Sequence, residues 1–165
     1  YLQCKGFEVG DSLVERDLSQ DVLSFFESES AKKIIMPTDL VCSADASLDC
    51  PKIKSISMVQ SNDKVLDIGT KSIERYAEII KKSSTVFWNG PLGYVEKKPY
   101  DNGTESIINV LADSNCFSVI GGGDTVSVIE NMGVQDKISY ISTGGGALLK
   151  YIEGKDMCVI KKLGL

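Results

Sequence analysis

Histidine is absent from all 165 residues of this chain. Its absence excludes histidine general acid–base catalysis, Ser-His-Asp triads and histidine metal sites. Any chemistry must therefore depend on positioning, backbone dipoles, carboxylates or a borrowed metal ion. No apolar run approaches the roughly 20 residues that a membrane span needs, and no signal peptide is visible. We therefore expect no membrane partner.

Positive charge is also scarce. Lys and Arg number 18 against 23 Asp and Glu, so the formal net charge is −5. This balance argues against nucleic-acid binding, which needs a basic face. It leaves phosphate ligands open, because backbone amides at helix N-termini supply local positive potential. The five cysteines are odd in number and lie at no metal-like spacing, which favours free thiols in a reducing cytoplasm over disulfides.

The segment 85–96 is the one around which the rest of the chain is organised. Apolar residues run up to Asn89, and Asn-Gly-Pro-x-Gly follows at once. This pattern predicts a buried strand that ends in a tight turn, at the sheet edge where ligands bind in α/β folds. Two more units of strand, glycine-rich turn and helix follow, which predicts a parallel sheet with right-handed crossovers. The predicted elements are strands at 85–89, 117–120 and 138–141, and helices over 103–113, through about 131, and through 152.

The first half of the chain gives weaker signals. We predict a helix over 17–30, a strand over 33–36, and a hairpin or surface arm over 43–63. Thr70 or Ser72 is expected to cap the helix that follows the apolar segment 65–69. The first residue is Tyr1 rather than Met, so we expect the natural N-terminus to be missing. The apolar face of the first helix consists of Leu18, Val22, Leu23, Phe25 and Phe26.

The turn 121–125 carries the sharpest phosphate signal. Its three glycines let backbone amides approach an anion, and the following helix adds its N-terminal dipole. Asp124 fits beside a phosphate only if a cation such as Mg²⁺ lies between them. The alternative is that Asp124 caps its helix and the glycines form a plain turn. The residues alone leave both interpretations open.

The turn 142–146 repeats the pattern after the next strand, without a carboxylate. Two such turns on neighbouring crossovers indicate a shared anion site, where amides would meet the charge of a transferring phosphoryl group. Two purely structural turns are the alternative. Asn89 either hydrogen-bonds its own turn or faces the ligand edge, and Glu96 either accepts from a ribose hydroxyl or is solvated surface. Trp88 is predicted to be core. Neither a Walker loop nor a dinucleotide-binding Gly-x-Gly-x-x-Gly motif follows a strand.

Together, these turns resemble those of the phosphoglycerate kinase family. Segments 86–93 with Glu96, 121–125 and 142–147 have the order and spacing of its C-terminal, nucleotide-binding half, and segments 36–41 and 66–69 also match. The resemblance implies an α/β fold, a three-layer Rossmann-like parallel sheet flanked by helices. Residues 1–165 would form most of the C-terminal domain. The N-terminal domain and the first part of the C-terminal domain would be missing.

The resemblance also implies a reaction and the residues that serve it. A phosphoryl group would move between 1,3-bisphosphoglycerate and ADP, with Mg²⁺ as cofactor, giving 3-phosphoglycerate and ATP in cytoplasmic glycolysis. Asp124 would hold the metal ion, Leu66 would lie against adenine and Glu96 would hold the ribose. Three glycines would present amides to the migrating group, namely Gly144, Gly145 and Gly146. The other nucleotide-binding residues implied are Asn89, Gly90, Pro91, Gly121, Gly122, Gly123 and Thr125.

The chain departs from the family chiefly in what it lacks. The phosphoglycerate would bind through the absent N-terminal domain, so we expect the segment to be inactive alone and the full-length enzyme to be a monomer. Leu92, Tyr94 and Val95 replace side chains that are more usual after Asn-Gly-Pro.

A non-catalytic nucleotide-binding module derived from the same fold is the alternative function.

Overall fold

The computed structural model describes residues 1–14, 20–45, 47–157 and 161–162. Within these ranges, strands and helices form two three-stranded sheets with helices packed against them. The strands are β1 (Asp39–Ser43), β2 (Lys52–Ser55), β3 (Lys64–Ile68), β4 (Thr85–Asn89), β5 (Phe117–Gly121) and β6 (Tyr140–Ser142). The helices are α1 (Gln20–Glu27), α2 (Thr70–Lys82), α3 (Asn102–Ala112), α4 (Gly123–Met132) and α5 (Gly145–Ile152).

The second half of the chain forms the parallel sheet that the alternation predicts. Its strand order is β4-β5-β6, and both neighbouring pairs are parallel. Helix α3 lies between β4 and β5 in the chain, α4 lies between β5 and β6, and α5 follows β6. The bounds predicted for these helices are correct to within a residue or two. Helix α4 ends where Gly133 adopts a left-handed conformation with φ of 66°, which glycine reaches without steric cost.

The main core lies on one face of this parallel sheet. Ile120 of β5 is fully buried there, against Ile108 of α3 and Ile129 of α4. Trp88 and Val86 of β4 pack against the same cluster, which confirms the core position predicted for Trp88. These side chains share one face because side chains alternate along a strand.

The opposite face of the parallel sheet is open among the described residues. Phe87, Phe117 and Tyr140 are 41%, 56% and 54% exposed. Val119 lies between them, because it is the register partner of both Phe87 and Tyr140. The prediction that β4 is a buried strand was therefore wrong for one of its faces. The apolar run is real, but β4 is an edge strand in the described sheet and its core covers only one side.

The first half of the chain forms an antiparallel sheet of order β2-β1-β3. Strands β1 and β2 form a hairpin, of which only the loop and the second strand fall within the predicted region 43–63, because the first strand begins at Asp39. The strand predicted at 33–36 was wrong, because 29–33 is a short 3-10 helix and the first strand of the described residues begins at Asp39. The carbonyl groups of Ile35 and Met36 accept hydrogen bonds from the side chains of Tyr76 and Arg75 on α2, not from a neighbouring strand.

Helix α1 begins at Gln20, and the part of its prediction at 17–19, with Leu18, lies outside the described residues. Val22 and Phe26 are half-buried, whereas Leu23 and Phe25 are 41% and 42% exposed. The apolar face is therefore narrower than predicted.

Cys4, Cys42, Cys50 and Cys116 are free thiols, as expected, and Cys158 lies outside the described residues. None of the described helices has the length and apolar character that a membrane crossing requires.

Helix α2 is capped from another strand, not by its own first residues. Gly69 is the N-cap, and no side-chain cap bond comes from Thr70 or Ser72, so that prediction was wrong. Instead, the buried carboxylate of Asp39 on β1 accepts the amides of Lys71 at 3.1 Å and Ser72 at 2.8 Å. Ser72 Oγ also donates to this carboxylate, at 2.7 Å. Burial alone would raise the pKa of Asp39, but the hydrogen bonds from Ser72 and Lys71 outweigh it and lower the pKa.

The cap predicts a pH-dependent loss of stability. Asp39→Asn removes the charge and one acceptor oxygen, so we expect the free energy of unfolding to fall by about 1–3 kcal/mol at neutral pH. Because the pKa of Asp39 is lowered in the folded state, its contribution is present above the ordinary value of 3.8 and is lost as the pH falls below it. Urea unfolding at pH 7 and pH 3 measures both effects. A variant as stable as the parent chain at pH 7 would contradict the capping role.

Candidate functional site

The three glycine-rich or Asn-Gly-Pro turns meet at one edge of the parallel sheet. Asn89, the last residue of β4, is the register partner of Gly121, and Gly121 is the partner of Ser142. The amide of Gly90 donates to the carbonyl of Gly121 at 3.4 Å. Carboxyl ends of parallel strands share an edge, and ligands of open α/β sheets bind there. The structure thus brings the predicted turns side by side.

The turns approach one another so closely that a Cβ atom would be crowded at three positions. A Cβ atom on Gly121 would lie 2.9 Å from Asn89 Oδ1, and one on Gly145 would lie 3.2 Å from the same oxygen. The Cβ of Gly145 would also lie 3.0 Å from the backbone nitrogen of Gly122. Gly122 additionally has φ of 92°, which side chains rarely permit. Asn89 Oδ1 is therefore enclosed by backbone from β5, α4 and α5.

Two polar atoms at this edge are buried without a partner. Asn89 Oδ1 and the fully buried Thr125 Oγ1 form no hydrogen bond with the described residues. The interpretation in which Asn89 Oδ1 bonds its own turn is therefore wrong. An unsatisfied buried polar atom costs about 1–3 kcal/mol, so native proteins keep one where a ligand, an ion or water completes it. Asn89 and Thr125 belong to two different turns of the same edge, which makes that edge the candidate site.

Other glycines in these turns have no packing reason to be glycine. A Cβ atom on Gly123 or Gly146 would meet nothing within 4 Å. These two residues are the first of α4 and the second of α5, where helix amides have no partner inside the helix. Amides at helix starts suit an anion, because the helix dipole adds positive potential there.

Asp124 is the second residue of α4 and does not cap it. The N-cap is Gly122, without a side-chain cap bond, so the capping interpretation of Asp124 was wrong. Its side chain is exposed and makes no hydrogen bond or ion pair with the part of the chain that the structure describes. No three His, Cys, Asp or Glu side chains of the described residues group into a metal site. A cation held by Asp124 would take its other ligands from a bound molecule or from water.

The Asn-Gly-Pro turn is held from two other elements. Gly90 has φ of 90°, which glycine alone reaches readily. The amide of Leu92 donates to Thr104 Oγ1 of α3 at 3.0 Å, and the amide of Tyr94 donates to the carbonyl of Leu66 on β3 at 2.8 Å. Thr104 is fully buried and was missed in the sequence, because a threonine inside an amphipathic helix gives no signal of such a contact.

Leu66 faces a cleft of about 580 Å³ next to this turn. Asp11, Leu13, Leu92 and Tyr94 also line this cleft. Glu96 lies two residues beyond Tyr94, exposed and without a partner among the residues described. The structure therefore brings Leu66 beside the Asn-Gly-Pro turn and leaves the carboxylate of Glu96 available to solvent or a ligand.

These features define an α/β protein in which two helix N-termini meet at the carboxyl edge of a parallel sheet, the kind of edge where anions bind in such folds. Residues 1–155 match the sequence profile of the phosphoglycerate kinase family. The chain belongs to this family.

Two solved structures show the same relationship. The phosphoglycerate kinase from Coxiella burnetii is 32% identical with a TM-score of 0.88, over 97% of this chain. The phosphoglycerate kinase from Pyrococcus horikoshii OT3 is 26% identical with a TM-score of 0.81, over 98% of this chain. In both cases the match spans only 42% of the relative's chain.

The close approach of the turns predicts a difference between two neighbouring glycines of α5. Ala is a better helix former than Gly by roughly 1 kcal/mol, so Gly146→Ala should leave stability unchanged or raise it. Gly145→Ala should instead lower the free energy of unfolding, by about 1–2 kcal/mol relative to Gly146→Ala, because Gly122 or Asn89 must shift. Thermal unfolding followed by circular dichroism measures the difference. Equal melting temperatures would show that the edge is looser than described.

Proposed function

We propose that this chain supplies the nucleotide site of a phosphoglycerate kinase. The reaction is the reversible, Mg²⁺-dependent transfer of a phosphoryl group between 1,3-bisphosphoglycerate and ADP, giving 3-phosphoglycerate and ATP in cytoplasmic glycolysis. Family membership supports the reaction class. The observation that carries the site is the unpartnered Asn89 Oδ1, enclosed by the glycines of two helix starts.

Backbone amides would meet most of the negative charge of the nucleotide. The turns 89–91, 121–125 and 142–146 contain no Lys or Arg. Gly121, Gly122 and Gly123 would therefore bind phosphate oxygens through N–H groups at the start of α4, with Gly90 and Pro91 shaping the facing wall. Asn89 and Thr125 would supply the side-chain contacts, which would satisfy their orphaned atoms.

Asp124 would hold Mg²⁺ at the same helix start. Its exposed, unpaired carboxylate fits the ion, because Mg²⁺ usually takes one or two carboxylates and completes its shell with phosphate oxygens and water. When bound, the ion neutralises phosphate charge. The cleft beside Leu66 would take the adenine ring, and Glu96 would accept a hydrogen bond from the ribose.

The start of α5 would serve the phosphoryl group in transit. Gly144, Gly145 and Gly146 would present amides to it, and charge stabilisation of this kind is the main task in phosphoryl transfer. The attacking oxygens are already anionic, so no general base is needed, in agreement with a chain that contains no histidine.

The acidic substrate would bind outside these 165 residues. The chain spans 42% of the Coxiella and Pyrococcus enzymes, and we propose that 1,3-bisphosphoglycerate and 3-phosphoglycerate bind to the N-terminal domain of the full-length, monomeric protein. A non-catalytic nucleotide-binding module would share the ADP site but not the turnover.

Mg-ADP titration tests the role of Asp124. We expect Asp124→Asn to raise the dissociation constant about 10-fold with Mg²⁺ present, and to change it little in EDTA, because the lost carboxylate acts through the ion. Glu130→Gln is the matched control, since Glu130 is an exposed carboxylate near the other end of α4. Isothermal titration calorimetry measures all three proteins. Equal constants for the parent and Asp124→Asn would remove Asp124 from the site.

Turnover by the isolated chain is the second test. We expect no ATP-dependent phosphorylation of 3-phosphoglycerate in a coupled assay, because the acidic substrate has no site on this segment. A chimera that adds the unmatched part of the Coxiella burnetii enzyme should be active. Robust activity of the 165 residues alone would refute the division of labour, and a folded, ADP-binding but inactive chimera would favour the non-catalytic module.

A further inference from the structure

Asp67 is a buried carboxylate that the proposed reaction does not use. It lies on β3 beside Leu66 and is 2% exposed. Its two oxygens accept the amides of Ile68 at 2.8 Å and Gly103 at 2.7 Å, and no cationic side chain of the described residues pairs with it. Burial, together with the charge of Asp101, raises the pKa of Asp67 to about 6 despite these hydrogen bonds.

Asp39 on the adjacent strand offers a comparison within the same sheet. Both carboxylates lie on the antiparallel sheet and both accept amides at the start of a helix, Asp39 at α2 and Asp67 at α3. The pKa of Asp39 is lowered because the hydrogen bonds from Ser72 and Lys71 outweigh burial, whereas at Asp67 burial outweighs the two amides and raises the pKa. The ionised form of Asp67 is therefore disfavoured by the fold, whereas that of Asp39 is favoured.

The loop after the Asn-Gly-Pro turn is wrapped around Asp67. A Cβ atom on Gly93 would lie 2.5 Å from Asp67 Oδ1, and a Cβ atom on Gly103 would overlap the same oxygen. Both ends of the segment between these glycines are thus in contact with one carboxylate. The lack of side chains at both positions is what lets the loop close on it.

A chain of hydrogen bonds connects Asp67 to the candidate phosphate site. Gly103, whose amide Asp67 accepts, is followed on α3 by Thr104, and Thr104 Oγ1 accepts the amide of Leu92. The residue before Asp67, Leu66, accepts the amide of Tyr94. Leu92 follows Pro91 immediately, and Tyr94 comes two residues after Leu92. Two successive residues of β3 therefore fix the exit of the turn that carries Asn89.

We propose that Asp67 is a positioning residue for the nucleotide site, holding the start of α3 so that Thr104 keeps the turn 89–92 in its binding conformation. Its importance for binding rests on the proposed function, whereas its effect on the turn can be observed without nucleotide.

The test compares Asp67→Asn, Thr104→Val and the matched control Asp39→Asn in the 165-residue chain. Amide ¹H–¹⁵N shifts of Asn89 and Gly90 are recorded without nucleotide, and Mg-ADP binding is titrated at pH 7.5. We expect Asp67→Asn and Thr104→Val to move both amides and to raise the dissociation constant about 10-fold. Asp39→Asn should lower the melting temperature and leave the constant within about 2-fold. Asp67→Asn also loses one of the two oxygens that accept backbone amides, so a lower melting temperature is expected for it as for Asp39→Asn, and the dissociation constant and amide shifts are what separate the two variants.

Each outcome decides a different point. If the amide shifts of Asn89 and Gly90 are unchanged in Asp67→Asn, the proposal is overturned and Asp67 is a helix cap only. If Asp67→Asn does not fold, Thr104→Val decides, since it removes only the bond to Leu92 and leaves the carboxylate intact. If the parent chain does not bind Mg-ADP, the proposed function fails for this segment, and the nucleotide-free amide shifts still decide whether Asp67 positions the turn.

Discussion

The close approach of three backbone turns around the side-chain oxygen of Asn89 is the constraint on which the site depends. Parallel strands bring their carboxyl ends to one edge, but ordinary side chains would keep the turns apart. Glycine at 121, 122 and 145 removes that obstacle, and the starts of α4 and α5 come together as a result. The result is a region where peptide dipoles, not cationic side chains, supply positive potential in an acidic protein.

The parallel half of the fold and its ligand edge could be predicted from the sequence because their signals are local. Each strand is a short apolar run, each turn is marked by glycine, and each helix begins directly after it. Strand order then brings Asn89 beside Gly121, and Gly145 joins them because α5 begins shortly after β6. The sequence left the role of Asp124 open, and the structure decided against capping because Gly122 occupies the N-cap position.

The features that the sequence did not reveal depend on contacts between distant residues. Asp39 caps a helix through Ser72, 33 residues away, and Asp67 accepts an amide 36 residues away. Neither spacing is a motif. The apolar residues at 34–36 have high strand propensity, yet α2 side chains take the carbonyls of Ile35 and Met36. The buried and exposed faces of β4 could not be separated, because an apolar run without alternation predicts burial on both sides.

Trp88 has a consequence beyond packing. It is the single tryptophan of the chain, and its indole packs against the core while the next side chain along the strand enters the ligand edge. Adjacent strand residues point to opposite faces, so the indole lies on the core side of the same strand end whose next side chain lies at the candidate site. The fold therefore contains its own optical reporter, since indole emission depends on the polarity and packing around one position at the end of β4.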